Sequence, residues 1–169
     1  MEDKLVVVDL LDRKIGEGYK KSVHENRVLH RAFSVFIVHG DKMLLQQRAY
    51  SKYHSGGLWA NACCSHPRVG EKLSDAVNRR LFEELGISLK TEEIFQFVYY
   101  QEYDKVSEFE YDHVFLGEYC GDIKINRNEI EKIQWVDMEQ LMNDILSMPN
   151  KYCSWFLVAF PMVLKYLLK

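Results

Sequence analysis

Side chains able to do chemistry gather in four places along this chain. The first is Glu71 with a run carrying Arg79, Arg80, Glu83 and Glu84. Glu83 lies four residues after Arg79 and Glu84 four after Arg80, so on a helix each pair shares a face. A carboxylate row there suits Mg²⁺, a hard cation that takes oxygen ligands and substrate phosphates. Spacing alone fits a solvated, salt-bridged face at least as well. The second place is Cys63-Cys64, with His66 close behind. A lone cysteine is most often a small buried hydrophobe. The third is the set of six histidines, each of which alone reads as a surface or core residue. The fourth is Glu108-Phe109-Glu110-Tyr111-Asp112-His113. On a strand Glu108, Glu110 and Asp112 share one face, and Phe109, Tyr111 and His113 the other. That acidic face belongs either to an edge strand in water or to a chemical site.

These residues need elements to hold them. Leu5 to Leu10 predicts a strand and Asp12 to Gly18 a turn region. Ala32 to Val38 and Lys42 to Gln47 predict two strands around the turn His39-Gly40-Asp41. A long loop follows from about Ala49 to Leu73, rich in Gly, Ser, His and aromatics. Loops of that length inside a domain are usually functional. Ser74 is placed to cap a helix over Asp75 to Leu85, with Gly86 to end it. Ala76, Val77, Leu81 and Leu85 give that helix its apolar stripe. Ile94 to Tyr103 and Glu108 to Tyr119 predict a strand pair, and Lys132 to Val136 another strand. Asp137 then caps a helix to about Ser147, and a last helix runs from about Cys153 with a kink or break at Pro161. The pattern predicts an α/β fold: a mixed β-sheet sandwich with a central helix and C-terminal helices, in a single domain over residues 1–169.

Composition narrows the function. The 169 residues are 47% hydrophobic and 28% charged, with a formal net charge of −3. No global basic field argues for nucleic acid, although a local basic site can bind a small anion. No apolar run reaches the length of a membrane span, and the acidic start MEDKLVVVDLLDRK is unlike a signal peptide. Cys63, Cys64, Cys120 and Cys153 carry no pattern of a secreted disulfide framework. A cytoplasmic protein with free thiols is expected, monomeric or weakly homodimeric.

Ser65 to Ile87 resembles a Nudix box, with Glu71, Arg79, Leu81, Glu83, Glu84, Gly86 and Ile87 in register. Ser65 stands where Gly is usual, and Arg80 where a Glu usually follows the Arg. That exchange weakens a metal-binding, water-activating cluster and adds an attraction for diphosphate. The stretch Leu58-Trp59-Ala60-Asn61-Ala62-Cys63-Cys64-Ser65-His66-Pro67 is similar to the catalytic segment of type I isopentenyl-diphosphate isomerases, W-x-N-x-x-C-x-H-P. The likeness runs from the first strand to Trp155.

The resemblance implies a Nudix-type fold and a set of roles. Cys64 and Glu110 are the acid–base pair, with Tyr99 as auxiliary. His24, His30, His66, Glu108 and Glu110 form a site for Mn²⁺, Zn²⁺ or Mg²⁺, while His39, His54 and His113 stay outside it. Lys20, Arg48, Lys52 and Arg80 contact diphosphate, Glu84 holds a bridging Mg²⁺, and Trp155 lines the substrate pocket. The expected reaction interconverts isopentenyl and dimethylallyl diphosphate by protonation and deprotonation, without redox chemistry. One competing expectation is a Nudix hydrolase of a nucleoside or prenyl diphosphate, favoured by Glu71, Glu83 and Glu84. Another is a protein that is not an enzyme, either a Nudix-fold binding module or a small zinc-stabilised protein using Cys63, Cys64, His66 and an upstream His, although adjacent cysteines fit the usual C-x₂₋₄-C spacing poorly.

Overall fold

A computed structural model describes residues 3–169. Its nine strands form one mixed sheet with helices on both faces, as the alternation of patterns predicts. The strands are β1 (Lys4–Val8), β2 (Lys14–Tyr19), β3 (His30–His39), β4 (Lys42–Arg48), β5 (Trp59–Ala60), β6 (Cys63–Ser65), β7 (Glu92–Glu102), β8 (Ser107–Glu118) and β9 (Ile130–Asp137). The helices are α1 (Lys20–Glu25), α2 (Leu73–Leu85), α3 (Met138–Ser147) and α4 (Ser154–Leu167). Among the described residues, no helix is long and apolar enough to cross a membrane.

The hub is β3. It pairs antiparallel with β1, β4 and β6, and parallel with β8. Its side chains alternate between two cores, as period-two geometry requires. Phe33, Val35 and Ile37 meet Ala76, Val77, Leu81 and Leu85 of α2. Phe36 turns the other way, onto Phe156, Ala159 and Phe160 of α4. The rings of Phe36 and Phe156 stack 6.0 Å apart. Burying aromatic side chains of this size stabilises by roughly 1.5–3 kcal/mol each.

Several boundaries differ from the sequence expectation. The predicted turn region at Asp12 to Gly18 is largely strand β2, paired with β1. The reversal sits earlier, where Asp9 Oδ1 accepts from the Leu11 and Arg13 amides. Gly18 serves packing rather than turning: a Cβ there would meet Val23 Cγ2 at 2.6 Å. Helix α2 begins at Leu73 after Lys72, and Ser74 does not cap it. Leu73 packs against the core under α2, so apolar contact draws the first turn in. Gly86 ends α2 at φ +67, with its amide on Phe82 O at 2.9 Å. Asp137 caps α3 as predicted, its Oδ1 accepting from Gln140 N at 2.9 Å. Pro161 does not break α4. It lies on the exposed side, where water can take the carbonyl it leaves unpaired, while the buried side anchors the helix. The long loop contains β5 and β6, and the short helix α1 precedes β3.

Candidate active site

Strand register builds the site. The β3–β8 ladder sets His30 opposite Glu110, and the β3–β6 ladder sets Ser34 opposite Cys64. Helix α1 supplies His24, and His66 follows β6 directly. The acidic face of β8 does not face water: Glu108 and Glu110 are each 7% exposed and Asp112 is 1% exposed.

One ligand atom from each of His24, His30, His66 and Glu110 lies within 4.8 Å of the others. His30 Nε2 and His66 Nε2 are 3.1 Å apart, and His66 Nε2 is 2.9 Å from Glu110 Oε1. Two neighbouring ligands bound to one ion at about 2.1 Å stand roughly 3 Å apart in an octahedral shell. The tautomers agree with ligation. The Nδ1 atoms of His24 and His30 donate to Lys20 O and Val28 O, at 2.7 and 2.8 Å. That leaves each Nε2 with a lone pair, and His24 Nε2 is buried with no hydrogen-bond partner. Burial lowers the pKa of His24 to about 4 and of His66 to about 3, favouring the neutral, ligating form. Burial alone would raise the Glu110 carboxyl, but His30 and His66 hold it well below the ordinary carboxylate range. Three imidazoles and a carboxylate therefore fit a divalent metal ion.

Cys64 stands beside this cluster in a separate polar nest. Its Sγ donates to Asn61 Oδ1 at 3.1 Å and accepts from Trp155 Nε1 at 3.1 Å. Asn61 Nδ2 donates to Val35 O and Cys63 O, which fixes the amide with Oδ1 toward Cys64. Ser34 Oγ donates to Asp112 Oδ2 at 2.8 Å and lies 3.7 Å from Cys64 Sγ. Burial pushes the Cys64 thiol well above its ordinary range. Cys64 lines the cavity with Glu108, Glu110, His66 and Trp155, whereas Cys63 is fully buried away from it.

The same cavity is lined by Lys20, Arg48, Lys52 and Arg80. Lys52 ion-pairs with Glu129 and Arg80 with Glu84. Burial, then the charges of Arg80 and Lys52, lower the Lys20 pKa, so the cations crowd one region. Arg48 Nε and Arg80 Nε are buried without a hydrogen-bond partner. A multivalent anion suits such a cluster.

Three expected site residues sit differently from the rest. Glu84, 3% exposed, lies among the cations, accepting from Arg80 and from Gln46 Nε2 at 3.3 Å. Glu108 lies outside the four-residue cluster and engages His54 and Tyr103. Tyr99 pairs with Glu110 across β7 and β8, but its hydroxyl is 2.5 Å from Ser154 Oγ and it does not line the cavity. His54, expected outside the site, and Glu129, which carries no sequence signal, both line the cavity. Neither belongs to a recognisable spacing, because each meets its partner only through the fold.

Comparison with known proteins gives the family and the fold. The NUDIX domain profile covers residues 28–154. The chain is 45% identical over 157 residues to isopentenyl-diphosphate Delta-isomerase 1 of Aromatoleum aromaticum, spanning 92% of this chain and 89% of that protein. It is 42% identical over 158 residues to isopentenyl-diphosphate Delta-isomerase 2 of Photorhabdus laumondii, spanning 92% and 89%. A crystal structure of a MutT protein from Methanosarcina mazei is similar in fold, with a TM-score of 0.68 at 23% identity over 83% of this chain and 96% of that one.

Proposed function

Since the chain belongs to the isopentenyl-diphosphate Delta-isomerases and carries a NUDIX domain, we propose that its cavity interconverts isopentenyl and dimethylallyl diphosphate. The observation that carries this reading is a single cavity lined by Cys64, Glu110 and Trp155 together with Lys20, Arg48, Lys52 and Arg80. An acid–base pair thus shares a site with a cluster for diphosphate.

The alkene is unactivated, so a proton must reach one carbon before another carbon gives one up. Cys64 and Glu110 are the two groups that exchange these protons. The thiol of Cys64 is held by Asn61 and Trp155, and the Glu110 carboxylate by His66, so each has a fixed direction. Tyr99 stands outside the cavity and is an auxiliary only indirectly, its hydroxyl donating to Ser154 Oγ, which contacts Tyr103 and through it Glu108. The carbocation-like intermediate needs a dry, aromatic surround, and Trp155 supplies up to about 2 kcal/mol by cation–π attraction. Exclusion of water also prevents capture of the cation as an alcohol.

The diphosphate binds through Lys20, Arg48, Lys52 and Arg80, and its binding energy orients carbons remote from it. Glu84 would hold a Mg²⁺ ion, which would supply positive charge toward the diphosphate. His24, His30, His66, Glu108 and Glu110 would hold Mn²⁺, Zn²⁺ or Mg²⁺. A bound ion there supplies positive charge that polarises the Glu110 carboxyl and tunes its proton affinity. The protein is read as a cytoplasmic monomer or weak homodimer, since its cysteines carry no pattern of a secreted disulfide framework.

Incubation with isopentenyl diphosphate in deuterated water, followed by NMR, tests the reading. The expected result is deuterium-labelled dimethylallyl diphosphate without release of phosphate. Phosphate or diphosphate release without isomerisation would replace it with the hydrolase reading.

A further inference from the structure

His54 lies in the loop between β4 and β5, yet it is only 8% exposed. Its Nε2 is 3.0 Å from Glu108 Oε1, and its Nδ1 is 3.1 Å from Ser55 Oγ. The ring stacks on Tyr103 at 4.4 Å, with 19° between the planes, and meets Trp155 edge-on at 6.1 Å. Tyr103 in turn donates to the other Glu108 oxygen, Oε2, at 3.3 Å. Both oxygens of Glu108 are therefore held by side chains that stack on each other.

Both ring nitrogens have partners. A carboxylate only accepts, so Nε2 carries the proton and donates. Nδ1 is in hydrogen-bond contact with the Ser55 hydroxyl, which can donate or accept. Both ring nitrogens are thus engaged by Glu108 and Ser55, so neither is turned to the metal-binding cluster. Ser55 itself has φ +53, a conformation that side chains seldom adopt and that persists only where surrounding contacts enforce it. The backbone reaches further: His54 O accepts from Arg48 Nη2 at 3.4 Å.

We propose that His54 is a positioning residue: it orients the Glu108 carboxylate for metal binding and ties it to Arg48 at the end of β4 and to the loop that carries Lys52. The inference rests on the reading of Glu108 as a ligand in the proposed metal site. A buried, unanchored glutamate has several rotamers, and ordering it on ion binding costs entropy. Partners that hold a ligand in place commonly account for about 10- to 100-fold in metal affinity.

The test titrates Mn²⁺ by calorimetry into the metal-free full chain, using His54→Ala, His54→Gln, Glu108→Gln and the double variant His54→Ala/Glu108→Gln. His54→Ala is expected to weaken Mn²⁺ binding about 10- to 100-fold. His54→Gln, whose amide can still donate to Glu108, should recover most of that loss. In the Glu108→Gln background, adding His54→Ala should cost less than about two-fold, since the pair acts as a unit. Equal losses in both backgrounds, or unchanged affinity in His54→Ala, would overturn the role of His54 alone. Unchanged affinity in Glu108→Gln would remove Glu108 from the ligand set and the proposal with it. Should His54→Ala fail to fold, His54→Gln against His54→Leu makes the same comparison, and equal affinities in those two would overturn it.

Discussion

Replacing Trp155 with Phe separates two things that this residue does. The indole Nε1 donates to Cys64 Sγ at 3.1 Å and to Asn61 Oδ1 at 3.2 Å. Phe keeps an aromatic face in the cavity but has no donor. In one half of the reaction cycle the sulfur is deprotonated, and a buried hydrogen bond to a charged group contributes roughly 1.5–3 kcal/mol. With about 1.4 kcal/mol per tenfold, kcat should fall roughly 10- to 150-fold. KM should change little, because Trp155 is not one of the cationic groups proposed to bind diphosphate. The thiol should also become harder to ionise, since burial already raises it and one stabilising donor is gone. Steady-state kinetics give the first readout, and the pH dependence of iodoacetamide alkylation at Cys64 the second. Trp155→Leu removes the ring as well, and its further loss measures the cation–π contribution. A kcat for Trp155→Phe within about two-fold of wild type, with unchanged thiol reactivity, would refute the assignment of Nε1 as a working donor.

Cys64→Ala should nearly abolish isomerisation while Cys63→Ala keeps most of it, because only Cys64 lines the cavity; the reverse pattern in an activity assay would refute the choice of thiol. Glu84→Gln should chiefly raise KM for the diphosphate and weaken Mg²⁺ binding, whereas Glu110→Gln should collapse kcat. Equal kcat losses with unchanged KM would undo that division. Glu71 accepts from Arg79 Nε at 2.7 Å and from Arg79 Nη2 at 3.0 Å, and that contact lowers its pKa below 4.5. A depressed carboxylate contributes stability above its unfolded pKa and loses it as pH falls through the folded value. Glu71→Gln should therefore cost about 1 kcal/mol at neutral pH, allowing for partial exposure, and the gap from wild type should close below the folded pKa. Denaturant melts at several pH values check this, and a gap independent of pH would contradict it.

Much of the fold and some of the site can be read from the chain itself. Period-two alternation over Glu108 to His113 correctly groups Glu108, Glu110 and Asp112, and the apolar stripe on α2 correctly names Ala76, Val77, Leu81 and Leu85 as core. What alternation cannot say is whether an acidic face meets water or protein. Here His66 reaches Glu110, His54 and Tyr103 reach Glu108, and Ser34 reaches Asp112, and most of these partners come from distant segments. Gly16 and Gly18 resemble turn residues because glycine serves both turns and close packing; only the approach of Val23 tells the two apart at Gly18. The six-residue helix α1 carries too little periodicity to register. His54 and Glu129 have no local pattern at all, since their partners Glu108, Lys52 and Arg80 arrive through tertiary packing.

The position of β3 also governs how this protein gains and loses its activity. Both halves of the candidate acid–base pair depend on that strand, Glu110 through β8 and Cys64 through β6. A slip of one residue in either ladder would turn side chains to the opposite face and separate His30 from Glu110 or Ser34 from Cys64. The parallel β3–β8 pairing joins segments far apart in the chain, and such contacts form late because the intervening loop must close first. Amides of β3 should accordingly exchange with solvent only through global opening. Recovery of turnover during refolding should coincide with the final, slowest phase, and no partly folded species should show any.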